Sequence, residues 1–168
     1  DKVSFVGTDD EVLSRSSDEA EKIDLEGRFV TPGLIDNHVH FMSGGLQLSR
    51  VDLRNAKSKK EFQEIIAKAD NDLAEGVWMQ GGNWDHELWG GHYPDRSWID
   101  QVVEDRPVFI DRLDGHMALA NSSALALADI TKDTQDPIGG IILKDSNGEP
   151  TGILKDQAMG LCSRLIPE

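Results

Sequence analysis

Two histidines one residue apart, His38 and His40, close the run Val30-Thr31-Pro32-Gly33-Leu34-Ile35-Asp36-Asn37-His38-Val39-His40. An apolar run entered through Pro-Gly reads as a β-strand, and strand side chains alternate with a period of two. His38 and His40 therefore share a face, and Asp36 lies on it too. Two imidazoles so placed make half of a transition-metal site, since such a metal takes more donors than two. Two later apolar runs also close on polar clusters, Asn83-Trp84-Asp85-His86 and Asp114-Gly115-His116. Each of these three ends offers imidazole and carboxylate groups, the types that ligate metals or move protons.

The elements that must position these groups are legible in outline. Short apolar stretches at 3–6, 11–13, 22–25 and 29–30 read as strands, too few to bury their own apolar residues. Ser58-Lys59-Lys60-Glu61 is a capping box, and Phe62, Ile65, Ile66, Ala69 and Leu73 continue from it at helical spacing, with Gly76 as the stop. Residues 77–80 read as a buried strand, 81–96 as a loop rich in Gly, Trp, His and Asp, and 98–103 as a short helix. Residues 107–111 form a third strand that runs on to Asp114-Gly115-His116, and 121–128 a further helix. Asn147-Gly148 between two apolar runs predicts a β-hairpin over 141–154, with a last helix from about Gln157. Alternating strands and helices predict an α/β fold with a parallel sheet, whose sites form where the strands end.

Composition excludes more than it identifies. The 168 residues carry a formal charge of −14, which disfavours nucleic-acid and anionic-membrane partners. No stretch has the length and apolarity of a membrane span. One cysteine, Cys162, allows no internal disulfide and no thiolate metal site, and suits a reducing compartment such as the cytoplasm.

The segments 30–40, 81–85 (Gly-Gly-Asn-Trp-Asp), 106–110 (Arg-Pro-Val-Phe-Ile), 114–116, 121–122 (Asn-Ser) and 148–152 (Gly-Glu-Pro-Thr-Gly) resemble the YtcJ-like branch of the amidohydrolase superfamily, the amidohydrolase 3 group. The resemblance runs along nearly the whole chain and keeps the motif order. It implies a partial (β/α)8 TIM barrel over residues 31–168, preceded at 1–30 by part of a small β-sandwich. It implies a metal-dependent hydrolase of amide-type, non-peptide carbon–nitrogen bonds, working through a metal-activated water on a small-molecule substrate. Zinc is the expected metal, with His38 and His40 as ligands. A further ligand is expected from the 152–156 region, either Lys155 in carboxylated form or Asp156.

Trp84 stands where a substrate wall would form, and Asp114 and His116 end a strand where they would face a substrate. Trp89 reads as packing, and His86 and His92 as solvated loop residues. The resemblance also implies two histidines from later strands and an aspartate general base. No histidine follows His116, so those groups are expected beyond residue 168, and the chain reads as the N-terminal part of a longer enzyme, inactive alone. The alternative is a non-catalytic binding or regulatory protein that keeps the amidohydrolase fold. A carboxylate-pair hydrolase of the glycosidase kind would leave His38 and His40 without a purpose. The substrate, the nuclearity of the metal and any homo-oligomeric state are left open.

Overall fold

The computed structural model describes residues 2–37 and 41–167. It divides into two compact units, Asp1–Val39 and His40–Glu168.

In the first unit Thr8 starts helix α1 (Asp9–Arg15). The Thr8 backbone N–H donates to the Glu11 carboxylate at 2.9 Å, and the Thr8 hydroxyl donates to the same oxygen at 3.0 Å. These bonds hold the Glu11 carboxyl below its ordinary range. Asp9 and Asp10 in the first turn suit the helix dipole. The strand expected at 11–13 is therefore a helix, and the other described residues of this unit form neither helix nor strand. A strand is stable only against a paired ladder, and none forms among the described residues of this unit. Phe29, Leu34 and Ile35, expected to lead a strand into His38, lie more than nine-tenths exposed. His38, Val39 and His40 themselves fall outside the described residues.

The second unit opens with helix α2 (Phe41–Gln47) and is built on one six-stranded sheet. Its strands are β1 (Val51–Asp52), β2 (Met79–Trp84), β3 (Val108–Arg112), β4 (Met117–Ala120), β5 (Gly140–Lys144) and β6 (Pro150–Asp156). Their spatial order is β1-β2-β3-β4-β6-β5. β2 and β3, near the strands expected at 77–80 and 107–111, run parallel as expected, and β1, where no strand was expected, runs parallel beside β2, whereas β3–β4, β4–β6 and β5–β6 pair antiparallel. The sheet is thus mixed. Asp114-Gly115-His116 is not the end of a strand feeding a helix but the turn of a hairpin, with Gly115 at φ 71° and its N–H bonded to the Arg112 carbonyl at 3.0 Å. His116 leads into β4, an all-apolar run whose alternation is hidden because both of its faces are buried.

Alternation along the strands divides the core into two layers. Val108, Ile110, Leu119 and Ile153 face Phe62 and Ile66 of α3 (Lys59–Asp72) and Ile99 of α4 (Ser97–Asp100). Phe109, Ala118, Ala120 and Leu154 face Ala124 and Leu125 of α5 (Ser122–Leu127) and Cys162 of α6 (Gly160–Ser163). Helix α3 starts on the expected cap, with the Ser58 hydroxyl accepting from the Glu61 N–H at 3.2 Å.

Two residues of the matching motifs turn out to be structural. Arg106 pairs with Asp70 at 2.5 Å and donates to the carbonyls of Asp70, Leu73, Ala74 and Val77, closing the C-terminal end of α3. Asn121, 1% exposed, accepts from the N–H groups of Val108 and Ala124, each at 3.0 Å, and donates to the Arg106 carbonyl at 2.9 Å. It caps α5 and fixes the start of β3 together. Among the described residues no helix is long and apolar enough to cross a membrane.

Candidate active site

The C-terminal end of β2 is shaped by its glycines. Gly81 and Gly82 take φ values of +111° and +113°, and a Cβ on either would lie 2.4 Å from the Val51 carbonyl oxygen or 2.6 Å from that of Asp111. Only glycine permits both that backbone and that approach. Asn83 is also at positive φ (54°), and the β2–β3 register shifts between Gly82 and Trp84. The bulge turns Trp84 into the core, where it is 0% exposed and its Nε1–H donates to the Ile110 carbonyl at 3.0 Å. The structure therefore places Trp84 as packing beneath the strand ends. Asp85 follows and accepts from the Glu87 N–H at 3.2 Å, capping a 3₁₀ turn, His86–Trp89.

That turn carries His86 inward. Expected as a solvated loop residue, it is 7% exposed. Its ring lies 4.6 Å from the Tyr93 ring and edge-on to Trp84 at 6.2 Å. Arg112, at the end of β3, explains why a histidine is tolerated there. Its Nε donates to His86 Nδ1 at 3.2 Å, one Nη approaches Asp85 at 3.4 Å, and the other grips Asp114. A guanidinium only donates, so His86 Nδ1 must accept, and its proton sits on Nε2, 3.5 Å from Glu87 Oε1. Arg112 is the site residue that the sequence reading missed. The available signal was a charged residue at a strand end, flanked within two positions by Asp111 and Asp114.

Asp114 passes this order on to His116. Its second oxygen accepts the His116 N–H at 3.0 Å. Desolvation pushes the Asp114 carboxyl up, but the His116 N–H and the Arg112 guanidinium outweigh it and hold the group below the usual carboxylate range. His116 in turn pairs across the ladder with Asp156. The Asp156 N–H donates to the His116 carbonyl at 3.0 Å, and His116 Nδ1 lies 3.1 Å from Asp156 Oδ1. A carboxylate only accepts, so Nδ1 carries a proton, and Nε2 is left for another partner on a side chain that is 75% exposed. The two histidines thus present opposite nitrogens. Asp156 is held at φ 48°, ψ −120°, a strained backbone for a non-glycine residue, and such strain collects at functional positions.

Lys155 lies next to Asp156, but its ammonium meets Tyr93, 3.4 Å from the hydroxyl and 4.7 Å from the ring centroid. The structure brings together Asp114, His116 and Asp156, and links Lys155 to His86 through Tyr93. It gives both Lys155 and Asp156 partners within the protein. Among the described residues no group of three or more His, Cys, Asp or Glu side chains is placed to hold a metal ion. Trp89 packs against Phe62 and Trp98, and His92 is exposed, as expected.

Acid, base and guanidinium groups are thus collected along one end of a mixed sheet in an α/β protein. Residues 21–168 match the model of the amidohydrolase family, and the chain belongs to that family. It is 48% identical over 147 residues to protein LONG AFTER FAR-RED 3 of Arabidopsis thaliana, covering 88% of this chain and 25% of that one. N-substituted formamide deformylase of Arthrobacter pascens is 32% identical over 163 residues, covering 95% of this chain and 30% of the enzyme. The crystal structure of an uncharacterized metal-dependent hydrolase from Pyrococcus horikoshii matches with a TM-score of 0.54 at 28% identity, over 77% of this chain and 23% of that one. The chain thus spans less than a third of the length of these relatives.

Proposed function

We propose that this chain is the N-terminal part of a metal-dependent hydrolase of amide-type carbon–nitrogen bonds in small molecules. What carries the reading is the His116–Asp156 pair and its Arg112–Asp114 support, standing at strand ends in a chain of the amidohydrolase family. Residues 31–168 would belong to a (β/α)8 barrel and residues 1–30 to a small β-sandwich completed by other parts of the protein. His38 and His40 would hold the metal, for which zinc suits paired imidazoles. Lys155, if carboxylated, or Asp156 would add a ligand only by giving up its present partner. A divalent metal supplies Lewis acidity toward water and toward the scissile carbonyl.

The residues of this chain would position the substrate. Asp156 orients the His116 ring so that Nε2 can meet a polar group of the substrate. Asp114, kept ionised by Arg112 and the His116 N–H, fixes the turn that carries His116. Trp84 backs the strand ends from below. The name of the deformylase relative, an enzyme of N-substituted formamides, agrees with this bond type. The test is metal analysis of the full-length protein, with hydrolysis assayed on an amide panel before and after chelation. Bound metal and chelator-sensitive amide cleavage, both lost in His38→Ala, are expected. A folded full-length protein that contains no metal and cleaves no amide would overturn the proposal. One observation favours the second reading, a non-catalytic protein of this fold: the name of the Arabidopsis relative states no reaction.

A further inference from the structure

Asp111 is out of place for a residue on a strand paired on both sides, β2 on one and β4 on the other. It follows Val108, Phe109 and Ile110 on β3 and shares the sheet face of Phe109. Strands covered on both faces carry apolar side chains on both, and Val108, Phe109 and Ile110 before it do so. Here, on that one face, β2 contributes Gln80 and the entry to β1 contributes Arg50, beside Asp111. Among the described residues the Asp111 carboxylate has no hydrogen bond and no ion pair, and Arg50 acts on it only through space. Burial pushes its carboxyl above the ordinary range. Gly81, which brings no side chain, lines the same space. The cavity there measures about 390 Å³, with Phe109, Met159 and Ile166 on its apolar side.

A half-buried charge without a partner destabilises the fold, and proteins that keep one generally use it. The chemistry of the lining restricts the ligand. Asp111 accepts, Arg50 donates, and Gln80 and Ser163 do both. One carboxylate and one guanidinium leave no net charge, so an ion of either sign would leave one of them uncompensated.

We propose that this cavity binds the head of a small neutral amide, whose N–H is donated to Asp111 and whose carbonyl oxygen accepts from Arg50, with an apolar substituent on Phe109, Met159 and Ile166. The proposal rests on the amidohydrolase reading for its choice of amides among ligands that carry both groups.

Binding is therefore measured apart from turnover. Metal-stripped full-length protein is titrated calorimetrically with hexanamide and with methyl hexanoate, which keeps the carbonyl and chain length but lacks the N–H. Hexanamide is expected to bind at least about tenfold more tightly, because a site built around an N–H discriminates strongly against its loss. Asp111→Leu is expected to erase that preference. Arg50→Met, at an exposed position where folding is not at stake, is expected to weaken both ligands together. Absent binding, equal affinity for amide and ester, an unchanged preference in a folded Asp111→Leu, or unchanged affinities in Arg50→Met would each overturn the proposal. Binding with this pattern but no hydrolysis after metal is restored supports the cavity and counts against the hydrolase reading. Hydrolysis that does not respond to Asp111 does the reverse.

Discussion

Replacing Arg112 by methionine keeps most of the aliphatic stem and removes the guanidinium. Three hydrogen bonds disappear, to His86, Asp85 and Asp114. Their costs differ with burial. His86 is 7% exposed, so its Nδ1 is stranded without a donor, at about 1–2 kcal/mol. Asp85 and Asp114 are more open, with side chains 24% and 37% exposed, and regain water; each gives up about 0.5–1 kcal/mol. The sum is about 2–4 kcal/mol of local stability. Urea denaturation of the full-length Arg112→Met protein measures it as a lowered midpoint at unchanged slope. Arg112→Lys should recover less than half, because an ammonium cannot reach three acceptors as the planar fork does. Amide exchange at His116 should also quicken, since its N–H is held by an Asp114 that Arg112 no longer positions. A loss below about 0.5 kcal/mol, the level of an ordinary surface change, would refute the view that Arg112 organises the strand ends.

Asn121→Leu strands the Val108 and Ala124 N–H groups in the core and should cost about 3 kcal/mol in thermal or chemical melts. For Asp114 the folded carboxyl titrates below its unfolded value, so its contribution is complete above about pH 4 and is lost as pH falls through the folded value. The stability gap between wild type and Asp114→Asn, followed from pH 7 downward, should stay flat to that point and then close. Asp111 has the opposite sign: its folded carboxyl is raised, so ionisation weakens the native state as pH rises. Asp111→Asn should therefore be the more stable protein at pH 7 without ligand, and its advantage should shrink on acidification. Gly82→Ala forces a Cβ to 2.6 Å from the Asp111 carbonyl at an unfavourable φ; it should cost at least about 2 kcal/mol in the same melts.

Local chemistry made part of this architecture readable from sequence. The Ser58–Glu61 cap and the apolar stripe behind it specify α3, and Asn147-Gly148 specifies the β5–β6 turn, where Gly148 sits at φ 84°. Hidden features depend on residues far apart in the chain. Met117-Ala118-Leu119-Ala120 is uniformly apolar because both of its faces are covered, so no period of two shows. The strands expected at 3–6 and 22–25 have the right composition, but composition supplies no partner ladder. His86 reads as a loop histidine until Arg112, 26 positions away, arrives to bond it. Asp114 and His116 were recognisable as polar groups near a strand end, and the structure joins them to Asp156. Their turn geometry was not recognisable, because Asp-Gly-His suits a hairpin as well as a strand terminus.

The Arg106 clamp has a consequence for how the chain tolerates changes in length. Residues 73–77 form a connection at the surface, the sort of place where insertions are usually harmless. Here the carbonyls of Asp70, Leu73, Ala74 and Val77 converge on one guanidinium that enters from the start of β3. An added residue would pull at least one of them out of reach, so this connection has a fixed length. The stretch between α5 and β5, from 129 to 139, is held by fewer such bonds: only the carbonyls of Lys132 and Thr134 meet on one side chain, accepting from the Lys144 ammonium at 2.7 and 2.8 Å. Insertions accumulate where backbone groups are free to be re-solvated, and by that rule this second loop, rather than the first, is where the protein can grow.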